Sequence, residues 1–259
     1  MKELMKFENI CKVFDKGLDE TVVLDDLSFS VYEKEYLCIM GPSGCGKSTL
    51  LKIAGGIEAP TLGTIQLEGN KYEKGIPKEC LKHFGFIFQK HNLLEWRTVY
   101  QNLHLNLEIF KLKGEKWENR ITEMLKLVGL EAYPNIYPHE LSGGMRQRTG
   151  IARALVHDPD ILLMDQPFGA LDAITRKTLS YEMLNLWKKT QKTIVMITNS
   201  VEEALLVSGR IIVLDKNGKI ILEIENTVPL EARNENINYD SEFIRLRKQL
   251  DGIVHDIHE

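Results

Sequence analysis

The sequence predicts an α/β fold: strands and helices around a phosphate-binding loop, preceded by an antiparallel β portion and interrupted by an inserted helical portion. Three observations carry this. Gly41, Pro42, Ser43, Gly44, Cys45, Gly46, Lys47, Ser48 and Thr49 fit G-x-x-x-x-G-K-[ST] without a mismatch, between the apolar run Tyr36–Met40 and the helix-like stretch Leu50–Ala54. Short alternating apolar and polar runs fill residues 6–31. Over residues 90–157 the apolar period becomes helical and no strand pattern occurs, too long a gap for a mere crossover.

The loop chemistry follows from its residue types. Gly41, Gly44 and Gly46 let the backbone bend and turn its N–H groups inward, where a Cβ would obstruct them. The following helix begins with unpaired N–H groups and a partial positive charge, which suits a phosphate. Lys47 can reach the β- and γ-phosphates as a flexible point charge, and the Ser48 hydroxyl can join a Mg²⁺ shell. Strand, glycine-rich loop and helix in this order define a P-loop NTPase core that binds a nucleoside triphosphate.

Composition narrows the remaining classes. The 259 residues suffice for a sizeable core, and hydrophobic and charged fractions of 43% and 27% are those of a soluble globular chain. A net charge of −4 and a pI near 6.0 argue against nucleic acid as the main partner. No apolar run approaches the ~18 residues of a membrane span, and the start shows no uninterrupted apolar segment of an export signal. Cys11, Cys38, Cys45 and Cys80 lack C-x-x-C or metal spacing and read as thiols in a reducing cytosol, with Cys45 the exposed one. No internal repeat supplies a second nucleotide unit.

Along the chain, Val22–Leu24 and Leu27–Val31 are expected in antiparallel strands, with polar Lys16–Thr21 as a loop. Phe14, just before that loop, can stack on an adenine ring or serve as a core or hairpin aromatic. After a turn at Pro60–Gly63 and a strand at Thr64–Glu68, the buried strand Phe84–Phe88 ends on Gln89. There, at the carboxyl end of a strand, an amide oxygen can ligate Mg²⁺ or orient a water. Val99, Leu103, Leu107 and Phe110 share one helical face, and Ile121, Leu125 and Val128 another. Leu141 precedes Ser142, Gly143 and Gly144, a capped helix start that leaves N–H groups open to an oxyanion or is simply a cap. Asp160–Asp165 is a buried strand ending in a carboxylate, placed to hold Mg²⁺ through a water. Asp172 opens the next helix, Thr193–Thr198 is a further parallel strand ending on Asn199, and Ser200 caps Val201–Leu205. Strands at Arg210–Leu214 and Lys219–Glu223 close the sheet. The polar remainder has a weak helical pattern at Phe243, Leu246 and Leu250.

The set Gly41–Ser48, Gln89, Leu141–Gln147, Ile161–Asp165, Ala170–Asp172 and Asn199 resembles the ATP-binding subunit of ABC transporters, in the family's order from Phe7 to about Glu225. Phe168–Asp172 and Val201–Leu205 look most like the nitrate/sulfonate/taurine-type importers. The resemblance implies a nucleotide-binding domain at residues 1–225, its helical subdomain at about 90–157, and a C-terminal accessory helix and tail at 226–259. It implies ATP and Mg²⁺ as ligands. Two subunits would sandwich ATP head to tail, each Gly41 loop meeting the partner's Ser142–Gly144. A transmembrane permease would be contacted through His91–Thr98, with an external substrate-binding protein involved indirectly, at the cytoplasmic face of the membrane.

Two departures stand out. The family normally has Glu at the position of Gln166, as base or water-positioner, and His at the position of Asn199. The Asp that commonly follows is Ser200. Gln cannot accept a proton at neutral pH and Asn cannot become a cation. Binding is therefore expected to survive and hydrolysis at this subunit's own site to be poor. One laboratory substitution would explain Gln166 alone; two losses favour a naturally degenerate site paired with a competent subunit. A non-hydrolysing nucleotide-gated regulator and a soluble ABC-type ATPase acting on ribosomes or DNA are the alternatives.

Overall fold

The computed structural model of the chain describes residues 2–15 and 20–258; most of the loop expected at Lys16–Thr21 lies outside them. Two long strands, β1 (Glu3–Asp15) and β2 (Glu20–Tyr32), precede β3 (Tyr36–Met40), helix α1 (Lys47–Ala54), and strands β4 (Leu62–Leu67), β5 (Asn70–Tyr72) and β6 (Phe84–Ile87). The inserted helices are α2 (Val99–Ile109), α3 (Glu115–Leu127) and α4 (Gly143–Leu155). Then follow β7 (Ile161–Asp165), α5 (Ala173–Thr190), β8 (Thr193–Ile197), α6 (Val201–Val207), β9 (Arg210–Leu214), β10 (Ile220–Glu225) and α7 (Ser241–His258).

Two sheets result. The first is antiparallel, in the order β2-β1-β4-β5, and the second runs β10-β9-β3-β8-β7-β6. In the second, β9, β3, β8, β7 and β6 are mutually parallel and only β10 pairs antiparallel. Such a sheet needs cover on both faces, which explains why its strands are continuous apolar runs. The side chains nonetheless divide by parity. Leu37, Ile39, Val195, Ile197, Ile212 and Leu214 enter the core shared with α1 and the antiparallel sheet. Cys38, Met40, Ile194, Met196, Ile211 and Val213 enter the larger core shared with the helices. A buried ion pair ties the two sheets: Arg210 donates to both Glu35 oxygens at 2.6 and 2.9 Å and to the Ser30 carbonyl of β2 at 2.5 Å.

The helical insertion has its own local logic. Thr98 and Gln101 form a reciprocal capping box at the start of α2. Val99, Leu103 and Leu107 are buried as their spacing requires, whereas Phe110 and Val128 fall at the C-caps and are half-buried. Next to α4, His157 accepts from the Asn106 amide at 3.3 Å and donates from Nε2 to the Phe84 carbonyl at 3.0 Å, which calls for a neutral ring.

The segment after Glu225 has a stronger role in packing than its polar composition suggests. Val228, Ile237, Phe243, Leu246 and Leu250 are at most 2% exposed and join the same apolar cluster as β3, α4 and α6. The 3.6-residue period of α7 therefore faces the core directly. The expected boundary at residue 225 falls within one continuous apolar core.

Two outcomes follow from this packing. Phe243→Ala removes a fully buried ring and should destabilise the chain by about 3–5 kcal/mol, read as a lower urea midpoint. Burial depresses the His157 pKa below its ordinary 6.5. Its stability contribution is full above about pH 6.5 and is lost as the pH falls toward the depressed folded value. The melting temperature should fall on acidification from pH 7 to 5, and His157→Gln should flatten that fall.

Candidate nucleotide site

The Gly41 loop, Gln89, Asp165, Gln166 and Asn199 lie at or just beyond the carboxyl ends of parallel strands, where open α/β sheets place ligands. The Gly41–Gly46 loop leaves β3 and enters α1. Gly46 has φ +98°, and a Cβ there would lie 2.5 Å from the Val23 carbonyl oxygen, so only glycine permits this approach. Lys47, 5% exposed, points its ammonium into the loop and donates to the Gly41 and Pro42 carbonyls at 2.7 Å each. Burial lowers its pKa. Pro42 is buried, Ser43 and Gly44 are exposed, and Ser48 and Thr49 are half-buried in the first turn of α1.

Cys45 corrects the expectation of an exposed thiol. It is 2% exposed, with Sγ 3.8 Å from Lys47 Nζ, and burial raises its pKa. The loop curls around its own lysine and turns this side chain inward.

Opposite the loop, β7 delivers half-buried Asp165, whose charge acts on Lys47. Gln166 follows in a left-handed conformation, φ 43°, its N–H donating to the Ile197 carbonyl of β8 at 3.0 Å. That bond sets the end of β7 against the end of β8 and brings two amides together: Asn199 Nδ2 lies 3.5 Å from Gln166 Oε1. Exposed Gln89 joins them, since a Cβ on Gly169 would lie 3.6 Å from Gln89 Nε2 and the Gly169 N–H donates to the Gln166 carbonyl at 3.1 Å.

The other expected residues sit on separate elements. Ser142 caps α4, its hydroxyl accepting from Met145 N–H at 3.2 Å. Cβ atoms on Gly143 and Gly144 would lie 3.4 and 3.3 Å from Leu171 and Thr175. Asp172 caps α5, accepting from the Ile174 and Thr175 N–H groups at 3.1 and 3.0 Å; the Thr175 bond leads the effects lowering its pKa. Half-buried Phe14 lies on β1 with the Lys12 ammonium 4.8 Å from its ring centroid. One face of that ring thus carries a cation.

Sequence reading missed Glu203 and Arg176, which line a cavity of about 220 Å³ together with Gln166 and Asn199. The Ser200-x-x-Glu203 spacing reads as a capping box. Half of it forms: Ser200 Oγ accepts from Glu203 N–H at 3.2 Å, but the Glu203 carboxylate turns instead to the Thr198 and Ser180 hydroxyls.

The donors fit Mg-nucleotide. A hydroxyl (Ser48), an amide oxygen (Gln89) and a carboxylate (Asp165) are hard oxygen ligands, and Lys47 supplies the cation beside a loop closed to any Cβ at Gly46.

Fold and site define a P-loop nucleotide-binding cassette. The ABC transporter family model matches residues 24–169. The chain belongs to the ABC transporter family. An uncharacterized ABC transporter ATP-binding protein of Methanocaldococcus jannaschii is 42% identical over 259 residues, covering 99% of this chain and 93% of that protein. An aliphatic sulfonates import ATP-binding protein of Bacillus cereus is 39% identical, covering 87% of each chain. A taurine import ATP-binding protein of Pelagibacter ubique is 43% identical over 80% of this chain and 77% of its own length. Among solved structures, the dimeric bacterial ABC transporter cassette MJ0796 superposes with a TM-score of 0.76 at 34% identity, over 87% of this chain and all of that one. A second structure of that cassette, in a post-hydrolysis state with ADP and Pi, gives 0.75.

Gly46→Ala should strain the loop by about 1–3 kcal/mol and weaken Mg-ATP binding by roughly tenfold or more, read by equilibrium titration.

Proposed function

We propose that this chain is the ATP-binding subunit of a membrane ABC importer whose own hydrolytic site is degenerate. One observation carries the reading: the phosphate cradle is complete, while Gln166 and Asn199 meet at 3.5 Å where a base and an imidazole would otherwise stand. Lys47 and the α1 N-terminus hold the phosphates, and Ser48, Gln89 and Asp165 hold Mg²⁺, which supplies charge neutralisation when bound. Neither an amide nor a second amide can take a proton at neutral pH. Loss of a general base costs ~10²–10⁴ in rate.

The importer assignment rests on the sulfonate and taurine import proteins that resemble the chain. No helix among the described residues is long and apolar enough to cross a membrane. As an importer's ATP-binding subunit, the chain would couple to separate permease subunits at the cytoplasmic face. His91–Thr98 is the proposed contact. Trp96 in it is 73% exposed, as an aromatic anchor for a partner would be. This segment is tied to α4: His91 Nδ1 meets Gln147 Oε1 at 2.6 Å, and Arg153 donates to the His91 and Asn92 carbonyls at 2.9 and 2.7 Å. Movement at the permease would thus reach Ser142–Gly144, which would complete the phosphate site of a second, competent ATP-binding subunit in a head-to-tail pair. The external substrate-binding protein acts only through the permease.

The lone purified chain should bind Mg-ATP tightly and release phosphate very slowly; fast steady-state turnover would contradict the reading. Gln166→Glu should raise the rate, and Asn199→His on top of it should raise it further, by about 10²-fold or more in total. Trp96→Ala should abolish co-purification with a multi-span permease and leave Mg-ATP affinity unchanged.

A further inference from the structure

An amide at position 166 leaves the proton of an attacking water without its usual acceptor. The cavity beside Gln166 and Asn199 holds one carboxylate among its lining residues, that of Glu203 on α6. Glu203 is 8% exposed; one carboxylate oxygen accepts from the Thr198 hydroxyl and the other lies 3.4 Å from the Ser180 hydroxyl. Thr198 immediately precedes Asn199, and its Oγ1 also accepts from the Ser200 N–H at 3.1 Å. The cavity, about 220 Å³ with polar walls from Gln166, Asn199, Ser200 and Arg176, has room for several waters. Burial raises the Glu203 pKa, opposed first by the Thr198 hydrogen bond and then by the Arg176 charge.

We propose that Glu203 is the proton acceptor for the slow ATP hydrolysis at this subunit's own site, reached from the attacking water through water in this cavity. The inference rests on the nucleotide-site reading above. The water oxygen bonds to the γ-phosphorus, the bond from that phosphorus to the β–γ bridging oxygen breaks, and its electron pair leaves on ADP. The water proton passes to the Glu203 carboxylate and from there to solvent, giving ADP and inorganic phosphate. Gln166 and Asn199 orient the water as amides and exchange no proton.

A bland role is anchoring: Glu203 would merely hold Thr198 and α5. The two roles separate in a double-mutant cycle on the full chain, with single-turnover release of phosphate from radiolabelled ATP and Mg-ATP affinity as paired readouts. Glu203→Gln keeps the side chain's size and one of its two accepting oxygens, the other becoming an NH2 to which a hydroxyl can turn its lone pair. In the native background it should lower phosphate release ~10-fold or more with Mg-ATP affinity unchanged. In the Gln166→Glu background, where a carboxylate again stands beside the water, the same substitution should cost less than about twofold. Glu203→Asp keeps an acid with shorter reach and should retain part of the native rate. Equal losses in both backgrounds, no loss in the native one, or a native rate no faster than uncatalysed hydrolysis overturns the proposal. Failure of the native chain to bind Mg-ATP at all overturns the nucleotide-site reading along with it.

Discussion

The parallel register of β3, β8 and β7 is the constraint on which the site depends. Ile39 is level with Ile197, and Ile197 with Asp165. Two further bonds extend the ladder past the strands, from Thr198 N–H to the Ile39 carbonyl at 3.2 Å and from Gln166 N–H to the Ile197 carbonyl at 3.0 Å. Gly41 and Asn199 therefore emerge two residues past this row and Gln166 one residue past it, all at the same edge of the sheet. A slip of one residue in any strand would send its site side chain to the other face, and burial on both faces forbids such a slip. The geometry of this edge is thus secured by backbone pairing and apolar packing, not by contacts among the side chains displayed there.

This division separates the shape of the site from the identity of the side chains it displays. Gln166 holds its left-handed conformation through a backbone bond, which Gln and Glu make equally well. Ser200 caps α6 through its hydroxyl. Neither position is needed for the cradle, where Lys47 is fixed by carbonyls of its own loop. The side chain at position 166 can change between Gln and Glu with little demand on the fold, whereas changes at Gly46 or Lys47 disturb the phosphate loop itself.

The stabilising framework lies away from this edge. Arg210, donating to Glu35 and Ser30, joins the antiparallel sheet to the parallel one in a region of low exposure. Breaking one partner of such a pair costs ~3–5 kcal/mol because the other charge is left buried. On the opposite face, α7 supplies Phe243, Leu246 and Leu250 to the helical core. The C-terminal segment is part of the molecule's packing, and Val254 on it reaches the small cavity beside Gly41, Ser43 and Asn199.

The residue pattern alone determined the phosphate loop, the strand-ending Asp165, the capped helix starts at Ser142, Asp172 and Ser200, and two amides, Gln166 and Asn199, just past the ends of buried strands. These are local features, because turn chemistry, caps and strand period act within a few residues of one another. The tertiary structure alone decided that Gln166 and Asn199 touch, that Cys45 faces inward, that α7 belongs to the core, and that Glu203 stands in their cavity. Each of these joins residues far apart in sequence or depends on which way a loop curls. Sheet register and core packing set such contacts, and neither leaves a mark in the spacing of one chain.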